Sequence, residues 1–172
     1  CDSLGSKKRK DCVIVLNIIL ESLLKWFAPI LVFTSEEIYS LINKKDESIH
    51  ENSFVNIPNN WENKELDNKW EKLFKIKQAA NIAIEEKRSS KVIGSSLEAE
   101  IKITVSSDNF DLLNGLDLAE YFITSKAVKI KSDDQKELEI EVQKTKGAKC
   151  ERCWKVLEKK CVRCEKVILE TV

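Results

Sequence analysis

Four of the six cysteines in this 172-residue chain stand within fifteen residues, as Cys150-Glu151-Arg152-Cys153 and Cys161-Val162-Arg163-Cys164. Seven residues separate the two pairs. Each Cys-x-x-Cys turn aims two thiolates at one point, and two such turns complete a tetrahedron with Zn–S bonds of about 2.3 Å. Soft sulfur donors in tetrahedral array select zinc over magnesium or calcium. An iron–sulfur cluster takes the same donors, and spacing alone leaves it open. Two disulfides need an oxidising compartment, against which stand the unpaired look of Cys1 and Cys12 and no recognisable secretion signal. A thioredoxin-like pair needs one Cys-x-x-Cys at a helix start, not two facing turns. Four thiolates close the coordination sphere to water, so the expected group is one structural Zn2+ on Cys150, Cys153, Cys161 and Cys164. A tail this short has no adequate core, and metal binding supplies much of its folding free energy.

The rest of the chain reads as helices followed by strands. From Lys7 to Phe27, apolar residues cover most of a helical circumference and leave one polar stripe of Asn17, Glu21 and Lys25, which calls for burial on several sides. The apolar run within it, Cys12 to Leu20, is too short to span a bilayer, is interrupted by Asn17 and is followed by Glu21 and Lys25. Thr34-Ser35-Glu36-Glu37 matches a capping box with Thr34 as N-cap, and Phe33 and Ile38 sit where a hydrophobic staple places them. This second helix is expected to reach Leu41-Ile42. A polar excursion follows from Asn43 to Asn60. A long helix from Leu66 to Arg88 then carries Leu66, Trp70, Leu73, Ala80 and Ile84 on one stripe.

After Gly94 the period becomes two. Ala99 to Val105 alternates as a half-buried strand, Asp108 to Tyr121 reads as a helix capped by Asp108, and Phe122–Ile130 and Leu138–Thr145 read as further strands. The fold class is therefore α+β, a helical bundle followed by a small β-α-β-β module and a short four-Cys zinc knuckle. The expected domains are 1–92, 93–146 and 147–172.

Charge is equally uneven. The chain holds 29 basic and 29 acidic residues and is formally neutral. Residues 100–145 hold ten Asp and Glu against six Lys, whereas residues 146–172 hold eight Lys and Arg against four Glu. A basic tail beside an acidic module points to a polyanionic partner. Catalytic constellations are missing: no Gly-rich phosphate loop, no His-Glu-x-x-His, no nucleophile elbow. The single histidine, His50, lies in a polar stretch and reads as a surface residue. No methionine is present and the chain opens on Cys1, which reads as a piece of a longer protein.

Four stretches together resemble one family. They are Cys1-Asp2-Ser3 with Lys7-Lys8-Arg9-Lys10; Leu24-Lys25-Trp26-Phe27-Ala28-Pro29 with Phe33-Thr34-Ser35-Glu36-Glu37-Ile38-Tyr39; Lys91-Val92-Ile93-Gly94-Ser95-Ser96-Leu97-Glu98-Ala99 with Phe122-Ile123-Thr124-Ser125; and Lys149-Cys150-Glu151-Arg152-Cys153-Trp154 with Cys161 and Cys164. The chain resembles the C-terminal part of bacterial-type isoleucyl-tRNA synthetase. The second stretch is shared with related class I synthetases, and the last two favour the isoleucine enzyme. The seven-residue gap between the cysteine pairs is shorter than the family's usual pattern.

The resemblance implies an anticodon-binding bundle, a junction module and a terminal zinc knuckle. It implies a cytoplasmic, monomeric ligase that uses ATP, with catalytic and editing sites upstream of this chain and tRNA(Ile) and the remaining domains as partners. Candidate tRNA contacts are Lys7, Lys8, Arg9, Lys10, Arg152, Trp154, Lys155 and Arg163. The alternative is a zinc-ribbon nucleic-acid or protein-interaction module with no enzymatic role.

Overall fold

The structure, a computed structural model, describes residues 2–43, 47–132 and 138–171. Cys1 of the first resembling stretch and part of the 43–60 excursion lie outside the described residues. Two compact units divide between Glu62 and Asn63.

The first unit is built on α1 (Lys7–Phe27) and α2 (Val32–Ile42). Ser6 caps α1 by accepting the Arg9 N–H, and the Pro29 turn reverses the chain, with Ile30 and Leu31 N–H both donating to the Phe27 carbonyl. The core comprises Leu24, Ala28, Tyr39 and Ile49, with Ile38 against it. Ile49 enters from the short 3-10 turn Ile49–Glu51. Glu36 fixes that turn, its Oε2 accepting the Ser48 hydroxyl at 2.9 Å and the Ile49 N–H at 3.0 Å.

Three expectations are corrected here. Thr34 is not an N-cap: α2 begins at Val32 behind Leu31, with no side-chain cap, and Glu36 bonds the 48–49 turn. Phe33 is 88 % exposed, so it closes no staple. Burial of α1 on several sides is not found either. Only Ser22 and Leu24 are buried among its described residues, because α2 has 11 residues against 21 and its core partners meet α1 only near Leu24 and Ala28.

In the second unit a three-stranded sheet has the order β2-β1-β3. β1 (Ala99–Val105) pairs parallel with β2 (Lys126–Lys131) and antiparallel with β3 (Leu138–Lys144). As the central strand it shows the period-two pattern most clearly, with Ala99, Ile101, Ile103 and Val105 fully buried on one face. That face is covered by α3 (Lys64–Ser89), whose Leu73, Ile76, Ala80 and Ile84 share one core with β1 and with Ile93, Leu113, Phe122 and Val142. The sequence groups α3 with the first two helices; its buried face lies in the core of the sheet.

The connection from β1 to β2 is two short helices, α4 (Ser107–Leu112) and α5 (Leu118–Tyr121), where the sequence suggests one. Gly115 at φ +78° interrupts them. Asp108 lies in the first turn of α4 behind Ser106, and Asp117 is the side-chain cap, accepting the Glu120 N–H at 3.0 Å. The expected strand from Phe122 starts four residues later, because Phe122 and Ile123 end α5. Ile123 adopts φ +56°, its N–H donating to the Glu120 carbonyl and that of Thr124 to the Ala119 carbonyl. This is a Schellman closure with isoleucine at the left-handed position that glycine usually fills.

Candidate metal centre

The tail consists of a minimal hairpin, β4 (Ala148–Lys149) and β5 (Val156–Leu157), followed by α6 (Val162–Thr171). Gly147 starts it at φ +128°, where a Cβ would lie 2.2 Å from the Leu157 carbonyl oxygen. Only glycine permits that approach.

Cys150 and Cys153 lie in the hairpin turn. The turn is closed by the Cys150 N–H to the Lys155 carbonyl and the Trp154 N–H to the Cys150 carbonyl, at 2.9 and 2.8 Å. Cys161 stands just before α6, and its carbonyl accepts the Glu165 N–H; Cys164 lies in the first helical turn and is buried. The hairpin and the helix start thus deliver two sulfurs each. All four sulfurs lie within 4.8 Å of one another, and Cys153 and Cys161 are 3.7 Å apart. A tetrahedron with metal–sulfur bonds of about 2.3 Å has edges of about 3.8 Å. The donor set and its spacing therefore fit one tetrahedral metal ion.

The local electrostatics are divided. The Cys153 and Arg152 N–H groups act on the Cys150 sulfur and lower its pKa to about 7. Burial pushes the Cys153 thiol up to about 12, against an opposing N–H of Lys155. A compact group of thiols sheds its protons only against a positive charge, so a cation that binds here displaces them. Arg152 supplies part of that charge, its Nη1 donating to the Cys164 sulfur at 3.7 Å.

The candidate polyanion contacts fall in both units. Lys7, Lys8, Arg9 and Lys10 form the exposed first turn of α1, with the Arg9 Nη1 donating to the Asp2 carbonyl at 3.0 Å. Arg152, Trp154 and Lys155 are brought together on the hairpin turn. Trp154 is 60 % exposed at φ +64°, with the Lys149 ammonium 5.4 Å from its ring centre. Arg163 lies on α6 and faces Glu120 at 3.9 Å. Beside Cys150, Cys161 and Cys164 a cleft of about 740 Å³ is of mixed charge, lined by Lys149, Arg152, Lys159 and Lys160 and by Glu151, Glu158 and Glu165. Sequence reasoning missed the tie of Arg152 to a metal-site sulfur and the steric need for Gly147. The Gly147 position before the first cysteine is the one local signal that could have raised it.

Residues 2–103 match the family model described as the anticodon-binding domain of tRNA ligase. The chain belongs to that family. It is 48 % identical over 163 residues to an isoleucine–tRNA ligase of Pelagibacter ubique, covering 95 % of this chain and 18 % of the relative. Isoleucine–tRNA ligases of Gluconobacter oxydans and Caldanaerobacter subterraneus are 35 % and 38 % identical, over 91 % and 87 % of this chain and 16 % and 18 % of theirs. The chain thus spans less than a fifth of the length of these curated relatives. The resemblance to the C-terminal part of isoleucyl-tRNA synthetase is borne out, as is the α+β class. No helix among the described residues is long and apolar enough to cross a membrane.

Proposed function

We propose that this chain is the tRNA-gripping part of an isoleucine–tRNA ligase of class I, placing tRNA(Ile) for ATP-dependent aminoacylation by catalytic and editing domains outside it. Similarity to an isoleucine–tRNA ligase over 95 % of this chain, from the helical segment into the cysteine tail, is the observation that carries this reading. By role the chain divides at 92 and 146 into a bundle segment, a junction module and a knuckle. Cys150, Cys153, Cys161 and Cys164 hold one structural Zn2+, which orders the tail and leaves no position for substrate water. The working compartment is the cytoplasm, and the ligase acts as a monomer.

Two physical features support a polyanionic partner. Four consecutive basic residues occupy the first turn of α1, the end where the helix dipole is already positive and cations are unfavourable. A phosphate backbone laid against that turn reverses the sign of the interaction. The exposed Trp154 between Arg152 and Lys155 offers a flat apolar face flanked by charge, the combination on which an unstacked base is held. Phosphate contacts supply affinity and orientation, and base contacts supply the choice of anticodon.

The test is binding of the zinc-loaded chain to an isoleucine tRNA transcript, beside the same transcript with its anticodon changed, across a salt series. The expected result is affinity that falls steeply with salt for both, with a preference of about tenfold for the native anticodon that Trp154→Ala removes. Equal affinity for both transcripts at every salt concentration would sink the anticodon-reading role.

A further inference from the structure

The knuckle is not merely strung behind the module. Ser125 immediately precedes β2 and is 7 % exposed. Its N–H donates to the Ala99 carbonyl at 3.1 Å. Its hydroxyl donates to the Leu97 carbonyl at 2.5 Å and accepts the Val156 N–H of β5 at 2.6 Å. One buried hydroxyl therefore joins the turn before β1, the start of β2 and the hairpin that carries Cys150 and Cys153.

The geometry leaves Val156 dependent on this bond. In an antiparallel pair, successive residue pairs alternate between exchanging backbone bonds and turning them outward. Cys150 donates to the Lys155 carbonyl, so the adjacent Lys149–Val156 pair turns its N–H away from β4. That outward N–H meets the Ser125 oxygen, and the Val156 side chain is buried with it. Around this buried bond the contacts are charged and half exposed, with Arg163 facing Glu120 and Glu158 acting on the Lys126 ammonium. Exposed ion pairs of that kind hold orientation weakly. A buried hydrogen bond with both partners committed is directional, and removing one partner strands the other away from water.

We propose that the Ser125 hydroxyl is the latch that fixes the orientation of the four-cysteine knuckle on the αβ module, and so the direction in which Trp154 is presented to RNA. Trp154 stands two residues before Val156 in the turn that leads into β5, where its N–H is held by the Cys150 carbonyl, so the bond that orients the hairpin at Val156 orients the turn that carries the indole. The Schellman closure at Ile123 places the latch by turning the chain so that Ser125 enters beside Ala99. The second half of the proposal rests on the tRNA-binding function proposed above. Ser125 is a positioning residue, whose hydroxyl bonds the Leu97 carbonyl and the Val156 N–H.

The experiment compares the zinc-loaded 172-residue chain with its Ser125→Ala variant by NMR. Zinc content, amide exchange at Val156 and in β1, and residual dipolar couplings of module and knuckle are read on each. The variant is expected to keep one zinc and a protected β1, while Val156 exchanges at least about tenfold faster. Couplings that fit one alignment tensor in the parent chain then need two. Unchanged Val156 exchange with a single tensor would overturn the latch, and so would loss of zinc or melting of β1, since either makes Ser125 a folding residue.

Anticodon preference is measured on the same two proteins. Its loss in the variant, with zinc retained, supports positioning, whereas full preference in a variant with two tensors overturns that half. If the parent chain shows no preference, the functional reading fails while the tensors still decide the latch.

Discussion

Among the described residues three that are not glycine hold positive φ: Lys91 at +59°, Ile123 at +56° and Trp154 at +64°. A β-branched side chain in that region is crowded against its own backbone, at a cost of about 1–2 kcal/mol. Ile123 gains little burial in return, being 55 % exposed. Ile123→Gly is therefore expected to stabilise the second unit by about 0.5–1 kcal/mol, the relief of strain outweighing the added freedom of the unfolded chain. Urea unfolding followed at the sheet measures it, and a destabilised variant would mean the side chain does more than its exposure suggests. Gly147 is the converse case. With φ at +128° and the Leu157 carbonyl oxygen 2.2 Å from a built Cβ, Gly147→Ala must displace β5. The expected cost is about 2 kcal/mol or more, localised to the tail, and it shows as faster zinc loss to a chelator.

At the scale of elements, the tail has two-residue strands and one ten-residue helix, and buries Val156 and Cys164 among its described residues. Cys161→Ser removes one donor of four and is expected to abolish tight zinc binding. It should also unravel residues 148–171 while α3 and β1–β3 persist. Limited proteolysis would then cut after Gly147 and leave the sheet intact; a tail that resists cleavage without metal contradicts the structural role.

The cysteine site was legible because ligand spacing is local: two turns and one gap lie along a single stretch. The bounds of α1, Lys7–Phe27, were legible for the same reason. The capping box failed because α2 already begins at Val32, so Thr34 and Glu37 lie inside the helix, while the bonds of Glu36 to Ser48 and Ile49, twelve and thirteen residues on, have no local signal. Helical periodicity on α3 showed that Leu73, Ala80 and Ile84 are buried, but periodicity does not say whether helix or sheet covers them. The bond between Ser125 and Val156 spans 31 residues, and no local pattern announces it.

Across the whole molecule the two units differ in how much they bury. Among the described residues, four buried ones form the core of the first and twelve that of the second. Cooperative stability follows buried apolar area, so amides of α2 are expected to exchange by smaller openings than those of β1. Native-state hydrogen exchange across a denaturant series checks this, and coincident isotherms for α2 and β1 would show one cooperative unit instead. The charge pattern belongs to this scale too: a chain neutral in sum carries an acidic module and a basic tail, so attraction to a polyanion depends on which face meets it.

The order of the strands along the chain has a consequence for synthesis. β1 leaves the ribosome after α3 but before either neighbouring strand, and the parallel strand that first pairs with it arrives only with residues 126–131. Domains settle from the N-terminal side as the chain lengthens. The surface that receives the cysteine hairpin is therefore complete before Val156 exists, and the metal is captured by a tail that already has a place to dock.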